Sequence, residues 1–230
     1  MAEQAASELI AHIETTGLRP GEEIPPESEL AQRFGVNRLV IREAIRMLTA
    51  REILVSSQGR PARVSTPSAS VLAQMLDFRL RQQSLTIEDV LDTRRLVEGE
   101  LARLAARRFA VDQPGRTAGM DALLRQMEGA VGDRDRFVEL DVQFHGAVAE
   151  AAGAELLQLI LASFEGVLLR TRRSTYDERE RRGEGHESTL SSHRAIRDAI
   201  AAGDEGAAAA AMEAHLDDTR RDAAPASVTR

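Results

Sequence analysis

Polar and apolar positions alternate along this 230-residue chain with rhythms that change near residue 70. Ile41, Ala44, Ile45 and Leu48 mark one side of a stretch whose other side carries Arg38, Arg42 and Arg46, so the spacing predicts an amphipathic helix to about Ala50 with Asn37 as its N-cap. A shorter helix is expected over Ser28–Arg33, with Gly35-Val36 as the tight turn between the two, after a turn-rich opening of Leu18-Arg19-Pro20-Gly21 and Pro25-Pro26. Ile53–Ser56 and Ala62–Ser65 read as two strands around a hairpin tip, Ser57-Gln58-Gly59-Arg60-Pro61. Pro67–Ser70 reads as a linker. Beyond it the period is helical throughout, with helices expected over 71–83, 86–108, 117–131, 134–151, 154–175, 188–202 and 205–222. Gln113–Gly119 is a break, Tyr176–His186 a mobile charged loop, and residues 223–230 a disordered tail.

Two short helices joined by a glycine turn, the second basic on its outer face and followed by a hairpin, make a winged helix-turn-helix that lays a reading helix in the major groove. Arg38, Arg42 and Arg46 follow one another at i, i+4 and i+8, a stripe that drifts by ~40° per step at 3.6 residues per turn. The fold class expected is mostly α: a winged helix-turn-helix over residues 1–66, a linker over 67–70, and an all-helical antiparallel bundle of six or seven helices over 71–222.

Charge sharpens this picture. The chain as a whole is at −7, which argues against binding nucleic acid through a generally basic surface. From Ser28 to Thr66, however, seven arginines (33, 38, 42, 46, 51, 60, 63) face three glutamates (29, 43, 52), a local +4. There is no lysine, so every fixed positive side chain is a guanidinium, suited to bidentate contact with guanine edges and phosphate. With no cysteine, a disulfide framework, a thiolate nucleophile and a zinc finger are excluded. No apolar run is long enough to span a membrane and no signal peptide opens the chain, so no membrane partner and a cytoplasmic location are expected.

Three of the five histidines fit one site. Asp141 and His145 are i, i+4 neighbours on one helix face. His193 lies ten residues before Gly203 and His215 twelve after it; if Gly203-Asp204 is the turn of a helical hairpin, both sit ~15–18 Å from that turn and face each other. One carboxylate and three imidazoles from three helices suit a divalent transition metal. Spacing alone leaves open that these are ordinary surface or core residues. His12 and His186 show no such convergence and are expected at the surface.

Residues 18–45, LRPGEEIPPESELAQRFGVNRLVIREAI, resemble the N-terminal signature of GntR-type bacterial transcription regulators. The resemblance implies that Arg38 and Arg42 contact bases and phosphates and that Gly59 approaches the minor-groove backbone with Gln58 and Arg60 beside it. Ser28 and Leu39-Val40 depart from the usual residues of that signature and imply an operator of the chain's own. DVQFH, and later HRAIRDAIAAGDEGAAAAAMEAH, resemble the ligand-binding FCD domain of the FadR branch of these regulators, over most of residues 71–222. That resemblance implies a metal on Asp141, His145, His193 and His215, with zinc foremost and nickel or manganese acceptable. It also implies a small carboxylate effector (a hydroxy acid, dicarboxylate or sugar acid), and DTRRLVEGELARLAARR resembles the helix that contributes a cavity-lining arginine, which maps to Arg94. Glu98, four residues on, is placed to hold it, and the spacing fits an ordinary solvated i, i+4 pair equally.

The expectation is thus a homodimeric regulator, a repressor of double-stranded operator DNA under metabolite control, and not an enzyme. Two competing readings stand beside it. One is a fatty acyl-CoA sensor with a structural metal. The other is a metal-dependent enzyme, for which Glu150 and Glu155 are the nearest candidate bases but nothing fixes them in the site.

Overall fold

The computed structural model describes residues 1–56, 60–112 and 117–223, which divide into two compact units, Met1–Val71 and Leu72–Arg230. The first unit opens with α1 (Ala2–Thr16), followed by α2 (Glu27–Phe34), α3 (Arg38–Ala50), β1 (Leu54–Val55) and β2 (Arg63–Val64). Leu9 and Ile13 of α1, Leu30 of α2, Ile41, Ala44 and Leu48 of α3 and Leu54 of β1 close one small core. Gly35 ends α2 in the left-handed region at φ 65°, a conformation that costs a side-chain-bearing residue ~1–2 kcal/mol. It lets the chain turn at once into α3, where the Asn37 side chain accepts from the Val40 amide at 2.9 Å. The expected strands pair antiparallel, Leu54 with Val64 and Val55 with Arg63. Part of the turn-rich opening joins them: Gly21 and Ile24 donate to the carbonyls of Val64 and Ala62 at 2.8 and 2.9 Å.

The second unit is all helical: α4 (Ser70–Arg81), which starts just inside the first unit, α5 (Ile87–Asp112), α6 (Ala118–Gly129), α7 (Arg134–Ala152), α8 (Glu155–Ser163), α9 (Glu165–Arg182), α10 (Glu187–Ala201) and α11 (Glu205–Ala223). Thr86 and Asp89 cap α5 reciprocally, the Thr86 amide donating to Asp89 at 2.8 Å and the Asp89 amide to the Thr86 hydroxyl at 3.1 Å. α5 packs against α7, α10 and α11 around a core that includes Leu101, Phe144, Ile196 and Met212. Gly203, at φ 68°, turns α10 back onto α11 as the spacing required.

Four details differ from the sequence reading. The helix expected over 154–175 is two, parted at Phe164, which brings the bundle to eight helices among the described residues. The loop expected over Tyr176–His186 is instead the last two turns of α9 and its cap. Its charges are paired, Arg179 with Asp222 at 2.7 Å in a largely buried contact and Asp177 with Arg134 at 3.2 Å at the surface. His186, expected at the surface, is 2% exposed and stacks on Tyr176 with ring centroids 3.9 Å apart. His12 is also buried, with Arg33 Nη1 3.0 Å from its Nδ1. The 113–116 part of the expected break and the tail beyond Ala223 lie outside the described residues. No described helix is long and apolar enough to cross a membrane.

Candidate metal centre and nucleic-acid interface

In the first unit, Asn37, Arg38, Arg42 and Arg46 are all exposed along α3. Arg42 forms a two-point contact with Glu27 of α2, Nε–Oε1 3.3 Å and Nη2–Oε2 3.0 Å, and that hydrogen-bonded pairing raises its pKa further. Arg46 pairs with Glu43 at 3.3 Å. Both partners are half-exposed, so these pairs are weak and readily exchanged for phosphate. Arg42, Arg46 and Arg60 border a groove of about 440 Å³ between the end of α3 and the strands. Gln58 and Gly59, expected from the sequence at a hairpin tip, lie outside the described residues. Leu39, which departs from the usual signature, stands 69% exposed between Arg38 and Arg42 in the chain, an apolar group beside the exposed arginines.

In the second unit the four expected donors converge. Asp141, His145, His193 and His215 are buried, and one ligand atom from each lies within 4.8 Å of all the others. Asp141 and His145 share the inner face of α7. The Gly203 turn sets His193 against His215, Nε2 to Nε2 at 3.3 Å. Phe144 stacks on the His193 ring at 4.2 Å and fixes its plane. Glu98 on α5 contacts His145 Nδ1, which directs the Nε2 lone pair into the cluster, the arrangement a metal-binding imidazole requires. Two imidazole Nε2 atoms face each other and a carboxylate oxygen lies 3.4 Å from one of them, so the donor set fits a divalent cation.

Electrostatics keep Asp141, His193 and His215 in their ligating forms. Burial pushes His193 down to about 3, against the pull of Asp141, and drives His215 well below its ordinary value, with His193 and Arg172 adding to the effect. Burial works to raise Asp141 and Glu98, but their cationic neighbours outweigh it and both carboxyls are held below the usual range. Arg172 acts chiefly on Asp141 and Arg94 on Glu98. Neutral imidazoles and ionised carboxylates are what a metal binds.

Arg94 and Glu98 are each 1% exposed on the inner face of α5, with Arg94 Nε donating to Glu98 Oε1 at 2.6 Å. Both nitrogens at the fork of the guanidinium, Nη1 and Nη2, are buried without a hydrogen-bond partner. Glu98 therefore serves Arg94 with one oxygen and His145 with the other. Glu150 and Glu155 are exposed and stand outside the cluster.

A fifth group escaped the sequence reading. Arg172 of α9 is 6% exposed, and its Nη2 lies 2.9 Å from His145 Nε2 and 3.5 Å from His215 Nε2. Its Nη1 donates to Thr219 at 3.0 Å, and its Nε is 2.9 Å from Asp141 Oδ2, an ion pair without hydrogen-bond alignment. A signal was available: Val167, Leu168, Arg172, Thr175 and Tyr176 form one buried stripe, so this arginine occupies a core position of the helix.

Comparison with known proteins agrees with both halves. Residues 1–64 match the family described as bacterial regulatory proteins, gntR family, and residues 89–218 match the FCD domain. The chain is similar to the HTH-type transcriptional regulator LutR of Bacillus subtilis, 29% identical over 89% of this chain and 92% of the relative. It is also similar to the HTH-type transcriptional repressor NanR of Citrobacter rodentium, 31% identical over 94% of this chain and 82% of the relative. Among solved structures, Streptococcus agalactiae GntR superposes with a TM-score of 0.72 at 28% identity, covering 96% of this chain and 99% of that one.

Proposed function

Because the chain belongs to the gntR family of bacterial regulatory proteins and carries an FCD domain, a DNA-binding regulator and not an enzyme, we propose that it is a metabolite-responsive repressor of the FadR branch. It acts in the cytoplasm as a homodimer. Each protomer places α3 in the major groove, with Asn37, Arg38, Arg42 and Arg46 on backbone and base edges, Leu39 available to a thymine methyl, and the tip residues Gln58, Gly59 and Arg60 on the minor groove. The relative named as a repressor supports that sense of regulation.

The effector is a small carboxylate held by a divalent metal on Asp141, His145, His193 and His215, zinc first among the candidates. One observation carries this reading: beside four converging donors, Arg94 keeps two buried N–H-bearing nitrogens with no partner, and Glu98 fixes its other end. An unpaired buried guanidinium fork costs several kcal/mol unless an anion completes it, and a carboxylate matches its geometry. The metal, when bound, supplies positive charge and open coordination positions for that carboxylate. Effector binding weakens operator binding only if the effector prefers the arrangement that does not hold DNA.

Two experiments test the halves of this proposal. Sites selected from random DNA are titrated with wild type and Arg42→Ala. The variant should bind more weakly, with a salt slope lower by about one; equal affinity would remove α3 as the reading helix. Zinc-loaded protein is melted against hydroxy acids, dicarboxylates and sugar acids, where a ligand at a hundredfold excess over Kd stabilises by ~2.7 kcal/mol. The stabilisation should vanish in His215→Ala. A second reading, an acyl-CoA effector, is favoured by one feature: a cleft of about 600 Å³ lined by Leu123, Val142, Leu161 and Leu168 that reaches His145. A panel response confined to acyl-CoA would select it.

A further inference from the structure

We propose that Arg172 is a switch residue of the effector site: its guanidinium holds the metal donors in the metal-free protein and yields them when a divalent metal and a dianionic carboxylate bind together, then joins Arg94 in gripping the dianion. The proposal rests on the metal-and-carboxylate reading above.

The competition follows from the contacts. Arg172 touches three of the four donors, Asp141, His145 and His215. Each imidazole Nε2 has one lone pair, so it serves the guanidinium or a metal but not both. A dication among those donors would also stand against a buried guanidinium with little solvent to screen the repulsion. Arg172 must therefore move for the metal to take its full set of ligands.

Space and charge define what Arg172 moves toward. Two cavities of about 30 Å³ each flank it, one bounded by Phe137, Tyr176 and His186, the other by Ser192, Thr219 and Asp222. Each has room for little more than a water molecule, far below the several hundred Å³ of an ordinary ligand pocket. Arg172 lines both, so its departure enlarges the space on its own side of the donors, apart from the cleft of about 600 Å³ that reaches His145. The charges of the closed site cancel, with Asp141 and Glu98 against Arg94 and Arg172. A divalent metal on neutral imidazoles adds two positive charges in a site whose members are almost wholly buried. A monocarboxylate leaves one of them uncompensated, whereas a dicarboxylate restores neutrality and gives each displaced or unpartnered guanidinium fork its own carboxylate. Metal and dianion thus bind with positive coupling, and linkage makes the coupling equal in both directions.

The test measures zinc affinity of the full chain by competition with a chromogenic chelator, alone and with succinate, malate or malonate, and with acetate or lactate as monoanions. In wild type at least one dicarboxylate should tighten zinc by roughly tenfold, and the monocarboxylates by less than about threefold. Arg172→Met should bind zinc about tenfold more tightly than wild type without any acid and should lose most of the coupling. Thr219→Val removes the anchor of Arg172 Nη1 and leaves all four donors intact; it should shift zinc affinity the same way by a smaller factor. It decides the matter if Arg172→Met does not fold. Zinc binding by Arg172→Met alone would also support the switch. Zinc binding of wild-type strength in both variants, or coupling equal for mono- and dicarboxylates, would overturn the switch and leave the metal reading standing. Absence of zinc binding in wild type and both variants would overturn the two together.

Discussion

Replacing Glu98 by glutamine should destabilise the helical unit more than any surface change, because it leaves a charge buried and alone. Glu98 and Arg94 are each 1% exposed, and the carboxylate is the only hydrogen-bond acceptor that Arg94 has among the described residues. Breaking a buried pair by removing one partner costs ~3–5 kcal/mol, and the retained amide oxygen places the loss near the lower bound, at about 3 kcal/mol. For the 159 residues from Leu72 to Arg230, each kcal/mol moves Tm by ~2–4 °C, so the variant should melt ~6–12 °C below wild type in metal-free buffer. Adding Arg94→Met removes the orphaned charge, and the double variant should recover at least ~1 kcal/mol relative to the sum of the single losses. Glu98 also orients His145, so zinc affinity should fall by ~10–100-fold in Glu98→Gln. Calorimetric melts of the four proteins and a chelator competition check these outcomes. A Glu98→Gln melt within ~2 °C of wild type, or strict additivity in the double variant, would refute the account of Arg94 and Glu98 as a mutually dependent buried pair.

Three further outcomes follow from other parts of the molecule. Gly203→Ala places a side chain at φ 68°, with its Cβ 3.0 Å from that of Ala110, and should cost ~1–3 kcal/mol by thermal melt while lowering zinc affinity, since this turn sets His193 against His215. Burial holds His186 below its ordinary pKa despite Glu180, so between the folded and unfolded values the unfolded chain binds the extra proton and stability falls as pH drops below about 6.5. His186→Phe, which keeps the stack on Tyr176, should lose less Tm than wild type between about pH 7.5 and pH 5; an unchanged slope counts against this assignment. Leu39→Ser should weaken binding to the selected operator severalfold, with non-specific affinity and salt slope unchanged in anisotropy titrations, because an apolar base contact releases no counterions.

What could be read from the sequence was whatever local chemistry determines. Asn37 caps its helix, Thr86 and Asp89 close theirs, and Gly203 turns a hairpin whose arithmetic alone brings His193 to His215. Burial of charge was harder to read. DERERR between Tyr176 and Gly183 has the composition of a solvated loop, but Glu178 pairs with Arg181 and Arg182 at helical spacing, and Arg134 of α7 and Asp222 of α11 tie the segment to the bundle. Arg172 was harder to read for the same reason: flanked by Arg170 and Arg173, it resembles one more surface charge, and only its place in the stripe with Val167, Leu168 and Tyr176 sets it apart. The break at Phe164 carries no proline, and the apolar period runs on across it; Gly166, two residues on, is the one local sign of it.

The order in which residues leave the ribosome separates the two units in time. The first unit is fully synthesised at Val71, whereas the last donor of the cluster, His215, comes 144 residues later (215 − 71). At ~5–20 residues per second that interval is ~7–29 s, and domains fold as units as they emerge. A nascent chain therefore completes α3 and its unit well before it completes the Asp/His cluster. If the proposed function holds, a chain cut short between those two points would carry the reading head without the site that governs it.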